Sequence, residues 1–303
     1  MTHFADRLFE SIQKKGTPLC VGLDPRWASL PDAIKRHHNS DSLQSIAEAF
    51  ETFCSKVLDI VADHVAVVKP QSAFYEACGA AGMAVLQRLL NKARDKGLIT
   101  ILDNKRNDIA STATAYAEAA LGGVKWGEIT LPVWEADSLT INPYLGRDAV
   151  EPFLNAARKS NGGVFVLVRT SNPGAGLFQD LKIVSETEPR SLFMHVGEAV
   201  HSWSLENLGE CGYGDVGAVV GATYPEELAT LRQTMPEVPF LVPGFGAQGG
   251  KATDVVPAFS QGKGAVVNSS RGILFPFEPD DSNWESKIEE ATHQAIDALK
   301  VTS

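Results

Sequence analysis

The chain has 303 residues, 44% of them hydrophobic and 21% charged, an ordinary composition for a water-soluble globular protein and enough chain to bury one large core. A formal net charge of -10 and the lack of any Lys/Arg run exclude a protein that slides along nucleic acid, while leaving room for a small basic pocket. The four cysteines, Cys20, Cys54, Cys78 and Cys211, are too scattered for a C-x-x-C metal or redox pair and too few for a disulfide scaffold, so buried free thiols of a reducing compartment are expected.

Near the amino terminus, Phe4, Leu8 and Ile12 stand four apart among charged residues, which predicts an amphipathic helix rather than a signal peptide. No stretch approaches 18 consecutive apolar residues, so a cytoplasmic protein with no membrane partner is expected. Eight short apolar runs then alternate with helical patterns: Leu19–Leu23, Val65–Lys69, Ile99–Asp103, Leu139–Asn142, Val164–Val168, Val216–Val220, Phe240–Val242 and Ala265–Asn268. Continuous apolar runs are the signature of parallel strands buried on both faces, and the segments between them are long enough for crossover helices. Eight such units predict an α/β protein, a (β/α)8 TIM barrel forming a single domain over residues 1–303; an open doubly wound sheet has the same local pattern, so site chemistry must decide. Residues 26–41 and 171–189 read as insertions in strand-end loops, with short helices, and the tail after Asp280 reads as a helix with Ile288, Ala291, Ala295 and Leu299 on its apolar stripe.

In a barrel the polar residues that follow each strand converge on one mouth, and here they are Asp24, Lys69, Asp103 with Lys105, Asn142, Ser171, Gln248 and Arg271. Within ILDNKRNDIASTATAY, residues 101–116, Asp103 and Lys105 are two apart at a strand end and so share one face, with Asp108 where the chain turns toward a helix. Alone, a surface ion pair and a helix cap explain these residues equally well. Lys69 shifts the balance, because two lysines and two aspartates in one place are costly to assemble without a purpose.

The segment VPGFGAQGG, residues 242–250, fits G-x-G-x-x-G through Gly244, Gly246 and Gly249. A dinucleotide site would need an acid at the end of the next strand, which instead ends Asn268-Ser269-Ser270-Arg271. A phosphate grip fits better: barrels often hold phosphate with the loops after strands seven and eight, where glycine backbone, the Gln248 amide and the Arg271 guanidinium would meet the anion. Asp24 before Pro25 and Ser171 before Pro173 read in isolation as turn residues. His64 is expected to start a strand, and His195 and His201 are six apart, outside the i, i+4 spacing of two ligands on a helix, so no metal is assigned.

These residues, in this order, resemble the orotidine 5′-phosphate decarboxylase family. The pattern D-x-K-x-x-D-I-x-x-T is matched by Asp103, Lys105, Asp108, Ile109 and Thr112, and P-G-x-G-A-Q-G-G by residues 243–250. The resemblance runs from Asp24 to Arg271, and the Asn-Pro-Tyr-Leu-Gly stretch at 142–146 looks like the longer bacterial branch. It implies conversion of orotidine 5′-monophosphate to uridine 5′-monophosphate and carbon dioxide, the last step of de novo pyrimidine biosynthesis, by a homodimer with shared active sites and no metal or cofactor. It further implies that Asp24 binds ribose hydroxyls and that Lys69, Asp103, Lys105 and Asp108 form a catalytic tetrad, in which Lys69 links ribose to the charged array. Ser171 would address the pyrimidine edge, and Gln248, Ser270 and Arg271 the phosphate, Ser270 standing where relatives often have glycine. Thr112 and Asp108 would reach the neighbouring subunit's site. Two rivals remain. A magnesium-dependent sugar-phosphate aldolase or decarboxylase would have an acidic ligand where Lys69 stands; a non-catalytic nucleotide-binding barrel would have no need of the intact charged residues.

Overall fold

A computed structural model describes residues 2–184, 189–246 and 251–302. In chain order it begins with α1 (Phe4–Lys15), β1 (Leu19–Leu23), α2 (Asp32–Lys35), α3 (Leu43–Val61), β2 (Val67–Pro70), α4 (Ser72–Glu76), α5 (Gly79–Asp95) and β3 (Ile99–Arg106). Next come α6 (Ala110–Ala120), a hairpin of β4 (Val124–Trp126) and β5 (Ile129–Leu131), β6 (Ser138–Ile141), α7 (Arg147–Ser160) and β7 (Gly163–Arg169). Then follow α8 (Gly176–Gln179), the short pair β8 (Lys182–Ile183) and β9 (Arg190–Ser191), α9 (Leu192–Leu205), β10 (Val216–Val220) and α10 (Pro225–Thr234). The chain ends with β11 (Phe240–Val242), α11 (Ala252–Val255), β12 (Ala265–Ser269), α12 (Arg271–Leu274) and α13 (Trp284–Leu299).

Eight of these strands form a closed parallel barrel in the order β1-β2-β3-β6-β7-β10-β11-β12, and β1 closes the ring by pairing with β2 on one side (Cys20 opposite Val67) and β12 on the other (Leu19 opposite Val267). The expected eight-stranded barrel is therefore the observed fold, and the open sheet is not. Each predicted strand is present with its ends no more than three residues from those expected, three of them without any shift, and both predicted loop insertions carry short helices, α2 and α8. Among the described residues, no helix is long and apolar enough to cross a membrane.

Strand alternation divides the apolar side chains into two sets. Outward residues such as Leu19, Val21 and Leu23 pack against the surrounding helices. Inward residues, among them Cys20, Val67, Ile99, Ile101, Phe165, Val219, Leu241 and Val266, fill the barrel interior. The amphipathic α1 is the plug of that interior: Phe4 and Leu8 are fully buried, and the Phe4 ring meets Phe165 edge-on at 6.2 Å. Gly163, at the start of β7, makes this possible, since a Cβ there would overlap the Phe4 ring.

Two sequence expectations need correction. Cys20, Cys54 and Cys78 are buried, but Cys211 is exposed, because it sits in the turn after α9, whose backbone N–H groups at Glu210 and Cys211 are tied to the Asp6 carboxylate of α1. His64 does not begin a strand; it follows α3 in a turn, its N–H bonded to the Val61 carbonyl, and β2 starts three residues later.

Candidate active site

The alternation that fills the barrel with apolar side chains carries on into its mouth. On β2, Val67 points inward and so does Lys69; on β3, Ile99 and Ile101 lead to Asp103; on β12, Val266 leads to Asn268 and then Ser270. On β1 the same parity runs from Cys20 through Gly22 to Asp24. These polar ends line a cavity of about 720 Å³ at the carboxyl end of the strands, where barrel enzymes hold their substrates. Gly22 must lack a side chain, because a Cβ there would collide with Ser270 Oγ.

At the centre of the cavity Asp103 bridges two ammonium groups. Its Oδ2 accepts from Lys69 Nζ at 2.6 Å and its Oδ1 from Lys105 Nζ at 2.6 Å. Burial alone would raise the Asp103 pKa, but Lys69 and Lys105 hold it far below the usual carboxylate range. Lys69 shows the converse: burial alone would depress it, but Asp103, and Asp24 at longer range, hold it above the ordinary lysine value. Lys69 and Asp103 are almost fully buried, whereas the Lys105 side chain is 45% exposed and faces the opening.

Asp103 and Lys105 both face the cavity as the spacing predicts, but not through a regular flat strand. The β3–β6 register breaks between Leu102 and Arg106, and Lys105 adopts φ 45°, the left-handed region that costs a non-glycine residue roughly 1–3 kcal/mol. Thr140 on β6 holds this kink: its Oγ1 accepts from the N–H groups of Asn104 (3.1 Å) and Lys105 (2.9 Å) and donates to Asp103 Oδ1 (2.9 Å). Sequence reasoning missed Thr140, although its inward parity one residue beyond Leu139 was a usable signal.

Two acceptors at the cavity, Asp24 Oδ1 and Asn268 Oδ1, are buried with no donor among the described residues, a costly state that hydroxyl or amide donors of a ligand would relieve. Pro243, Gly244, Ser270 and Arg271, which follow β11 and β12, line one side of the cavity; Ser171 lines another. Gln248 lies outside the described residues. Asp108 and Thr112 do not line this chain's cavity: Asp108 Oδ1 accepts from the Ile109 N–H at 2.7 Å, and Thr112 is exposed on α6. Asn142 is also elsewhere, its side chain accepting from the Tyr144 N–H.

A buried arginine that sequence reasoning did not single out anchors the connection after β7. Arg169, 2% exposed, pairs with Glu227 at 2.6 Å and Asp180 at 3.0 Å and stacks on Phe193 and Tyr224. Gln179, which lines the cavity, bonds Arg169 as well as the N–H and hydroxyl of Thr170.

The Lys69–Asp103 pair makes a stability prediction. Lys69→Ala leaves Asp103 Oδ2 buried without its donor while Lys105 and Thr140 still hold Oδ1, and should cost about 1–3 kcal/mol at pH 7, read from urea unfolding. Asp103 has a depressed folded pKa, so its contribution is present above its unfolded value near ~3.9 and is lost as pH falls through the lower folded value. The gap between parent and variant should therefore narrow below about pH 4. A gap independent of pH would show that the lost stability is packing of the lysine stem.

A model of the Orotidine 5'-phosphate decarboxylase / HUMPS family matches residues 17–280. The orotidine 5′-phosphate decarboxylase of Rhodopirellula baltica is 46% identical over 308 residues, covering 99% of this chain and 100% of that protein. The enzyme of the same name from Caldicellulosiruptor bescii is 40% identical, covering 92% and 91%. Among solved structures, the orotidine monophosphate decarboxylase of Leishmania donovani superposes with a TM-score of 0.74 at 30% identity, covering 99% of this chain and 100% of that one.

Proposed function

The chain belongs to the orotidine 5′-phosphate decarboxylase family, and from that premise we propose how its own residues carry out the reaction. It catalyses decarboxylation of orotidine 5′-monophosphate to uridine 5′-monophosphate in pyrimidine biosynthesis, the activity classed EC 4.1.1.23. The observation that carries the mechanistic reading is the Lys69–Asp103–Lys105 array at the cavity floor.

Loss of carbon dioxide from C6 leaves an electron pair in the plane of the pyrimidine ring, where the π system cannot absorb it. An ammonium already fixed in that plane lowers the cost without reorganising at the moment of reaction. Lys105 is that ammonium: Asp103 holds Nζ, Thr140 holds its backbone, and its exposed side chain faces the space the base would fill. It then delivers a proton to C6. Asp103 sits beside the leaving carboxylate, a pairing that improves once that charge has departed as neutral gas. Lys69, pinned by Asp103, and Asp24, whose Oδ1 has no donor among the described residues, are suited to the ribose hydroxyls. Ser171 would address the pyrimidine edge, while Gln248, Ser270 and Arg271 would hold the phosphate.

The reaction is proposed to need no metal or cofactor. A magnesium-assisted mechanism would require anionic ligands where Lys69 places a buried positive charge, and that charge repels the ion. The direct test is the ultraviolet change as orotidine 5′-monophosphate is consumed, with and without chelator. Turnover abolished by chelation would return the magnesium mechanism; an unchanged spectrum with uridine 5′-monophosphate still bound would make the barrel a binding protein.

A single catalytic domain, acting as a homodimer, completes the proposal. Ile109 just before α6, Tyr116 on α6, Trp126 and Ile129 on the following hairpin and Tyr144 in the β6–α7 connection are exposed apolar side chains of the kind an interface covers. Asp108 and Thr112 lie on this side of the molecule, off their own cavity, and would complete the partner's site.

The phosphate assignment has its own test. Arg271→Ala should lower kcat/KM on the nucleotide by about 2–4 kcal/mol, roughly 30- to 1000-fold, as expected for loss of a charge-assisted contact to a phosphate. The nucleoside orotidine, with no phosphate to lose, should barely register the change. Equal losses on both substrates would remove Arg271 from the phosphate site.

A further inference from the structure

Away from the cavity, at the amino-terminal end of the barrel strands, three side chains with metal-ligating atoms come together. His64 lies in the turn between α3 and β2, and Glu289 and His293 stand four residues apart on α13, on one face of that helix. One ligand atom from each lies within 4.8 Å of the others. His64 Nε2 is 3.4 Å from Glu289 Oε1, and the His64 and His293 rings meet edge to face with centroids 4.4 Å apart.

The packing of the fold brings them together. Ile288 and Thr292, the residues just before Glu289 and His293, are buried, which fixes the rotation of α13 about its axis. Upstream the same helix is held to α3 by the Phe53–Trp284 ring contact and the Lys56–Glu285 pair. The backbone of α13 thus presents both ligands toward the His64 turn, with the Glu289 and His293 side chains exposed and open to an ion from solution.

A simple ion pair would need Glu289 and one histidine. The second imidazole, edge-on to the first, adds nothing to such a pair and would repel it if both were protonated. Two neutral imidazole nitrogens and a carboxylate oxygen are instead a donor set for a borderline transition ion, zinc above all, with a fourth position open to water. Magnesium and calcium prefer all-oxygen sets. We propose that His64, Glu289 and His293 form a zinc-class metal site that staples α13 to the turn entering β2. It is remote from the decarboxylation machinery and independent of it.

The experiment is zinc titration of the full chain by native mass spectrometry and calorimetry, with the thermal midpoint recorded in parallel. One zinc per chain and a raised Tm are expected, as linkage to the folded state requires. His64→Ala and His293→Ala should each weaken this event by more than about tenfold while leaving decarboxylation at the parent level, which also shows that the variants fold. Glu289→Gln, which removes the anionic ligand without changing shape, should weaken it less than either histidine variant. A parent with no saturable zinc, or one whose zinc binding and Tm rise persist in the His64→Ala/His293→Ala double variant, overturns the proposal; the latter result would move the metal to other residues, such as the adjacent His37 and His38.

Discussion

Replacing Lys105 by alanine should abolish turnover of orotidine 5′-monophosphate while uridine 5′-monophosphate still binds nearly as tightly as to the parent. A positioned general acid is worth roughly 10²–10⁴ in rate and a pre-organised charge at the reacting atom roughly 10²–10³, so losing both should lower kcat on the order of 10⁴-fold or more. In the proposed site, product affinity would come from contacts that the substitution leaves in place, Asp24 and Lys69 toward the ribose and the ends of β11 and β12 toward the phosphate, all of which line the cavity. Asp103 keeps Lys69 at 2.6 Å and Thr140 at 2.9 Å, so the buried carboxylate is not stranded. Lys105→Arg separates the two roles, because guanidinium retains the charge but gives up a proton far less readily. Single-turnover decay of substrate and equilibrium binding of product make the measurement. If product affinity collapses together with turnover, Lys105 is a structural member of the array rather than its reacting group.

The second large effect is recovery of activity from two dead proteins. If Asp108 completes the site of the neighbouring subunit while Lys105 serves its own, Asp108→Ala and Lys105→Ala homodimers should both be nearly inactive. In a mixed dimer one site inherits both lesions and the other inherits neither. Random exchange makes half the dimers mixed, and each has one intact site of two, so about a quarter of parental activity should return. Co-refolding, mass analysis of the subunit mixture and a decarboxylation assay decide the matter. Complete exchange without returning activity would mean that Asp108 acts only within its own chain, where its carboxylate accepts from the Ile109 N–H.

Much of this site could be read from sequence, because the barrel interior obeys a period of two. Once Val67, Ile101 and Val266 are taken as inward, Lys69, Asp103 and Asn268 must follow them into the mouth, and the eight runs were apolar enough to fix the strands. The kink at Lys105 could not be read, since nothing in a lysine codon position announces a left-handed φ; it depends on a hydroxyl from the next strand of the barrel, Thr140. The β4–β5 hairpin also escaped notice, with only three residues on each side of its turn and too little alternation to separate it from a loop. Nothing in the sequence sets Arg169 apart, because its partners Asp180 and Glu227 are recruited from two different connections. The cluster of His64, Glu289 and His293 shows the limit most plainly: the four-residue spacing on the last helix is visible, but its third member lies near the other end of the chain.

Ring closure between β1 and β12 also governs how this chain must fold. Leu19 pairs with Val267, so the last barrel contact joins two of the most distant segments of the sequence, and its loop entropy is incurred before any contact across that seam offsets it. During synthesis β1 has an unpaired edge until β12 has left the ribosome, and β2 can cover only its other side. Docking of α1, which is made first and already carries Phe4 and Leu8 for the barrel floor, gives the early strands an apolar surface to gather on during that wait. Slow refolding, with a late phase sensitive to substitutions along the β1–β12 seam and aggregation as the competing fate, is the kinetic signature that this topology imposes.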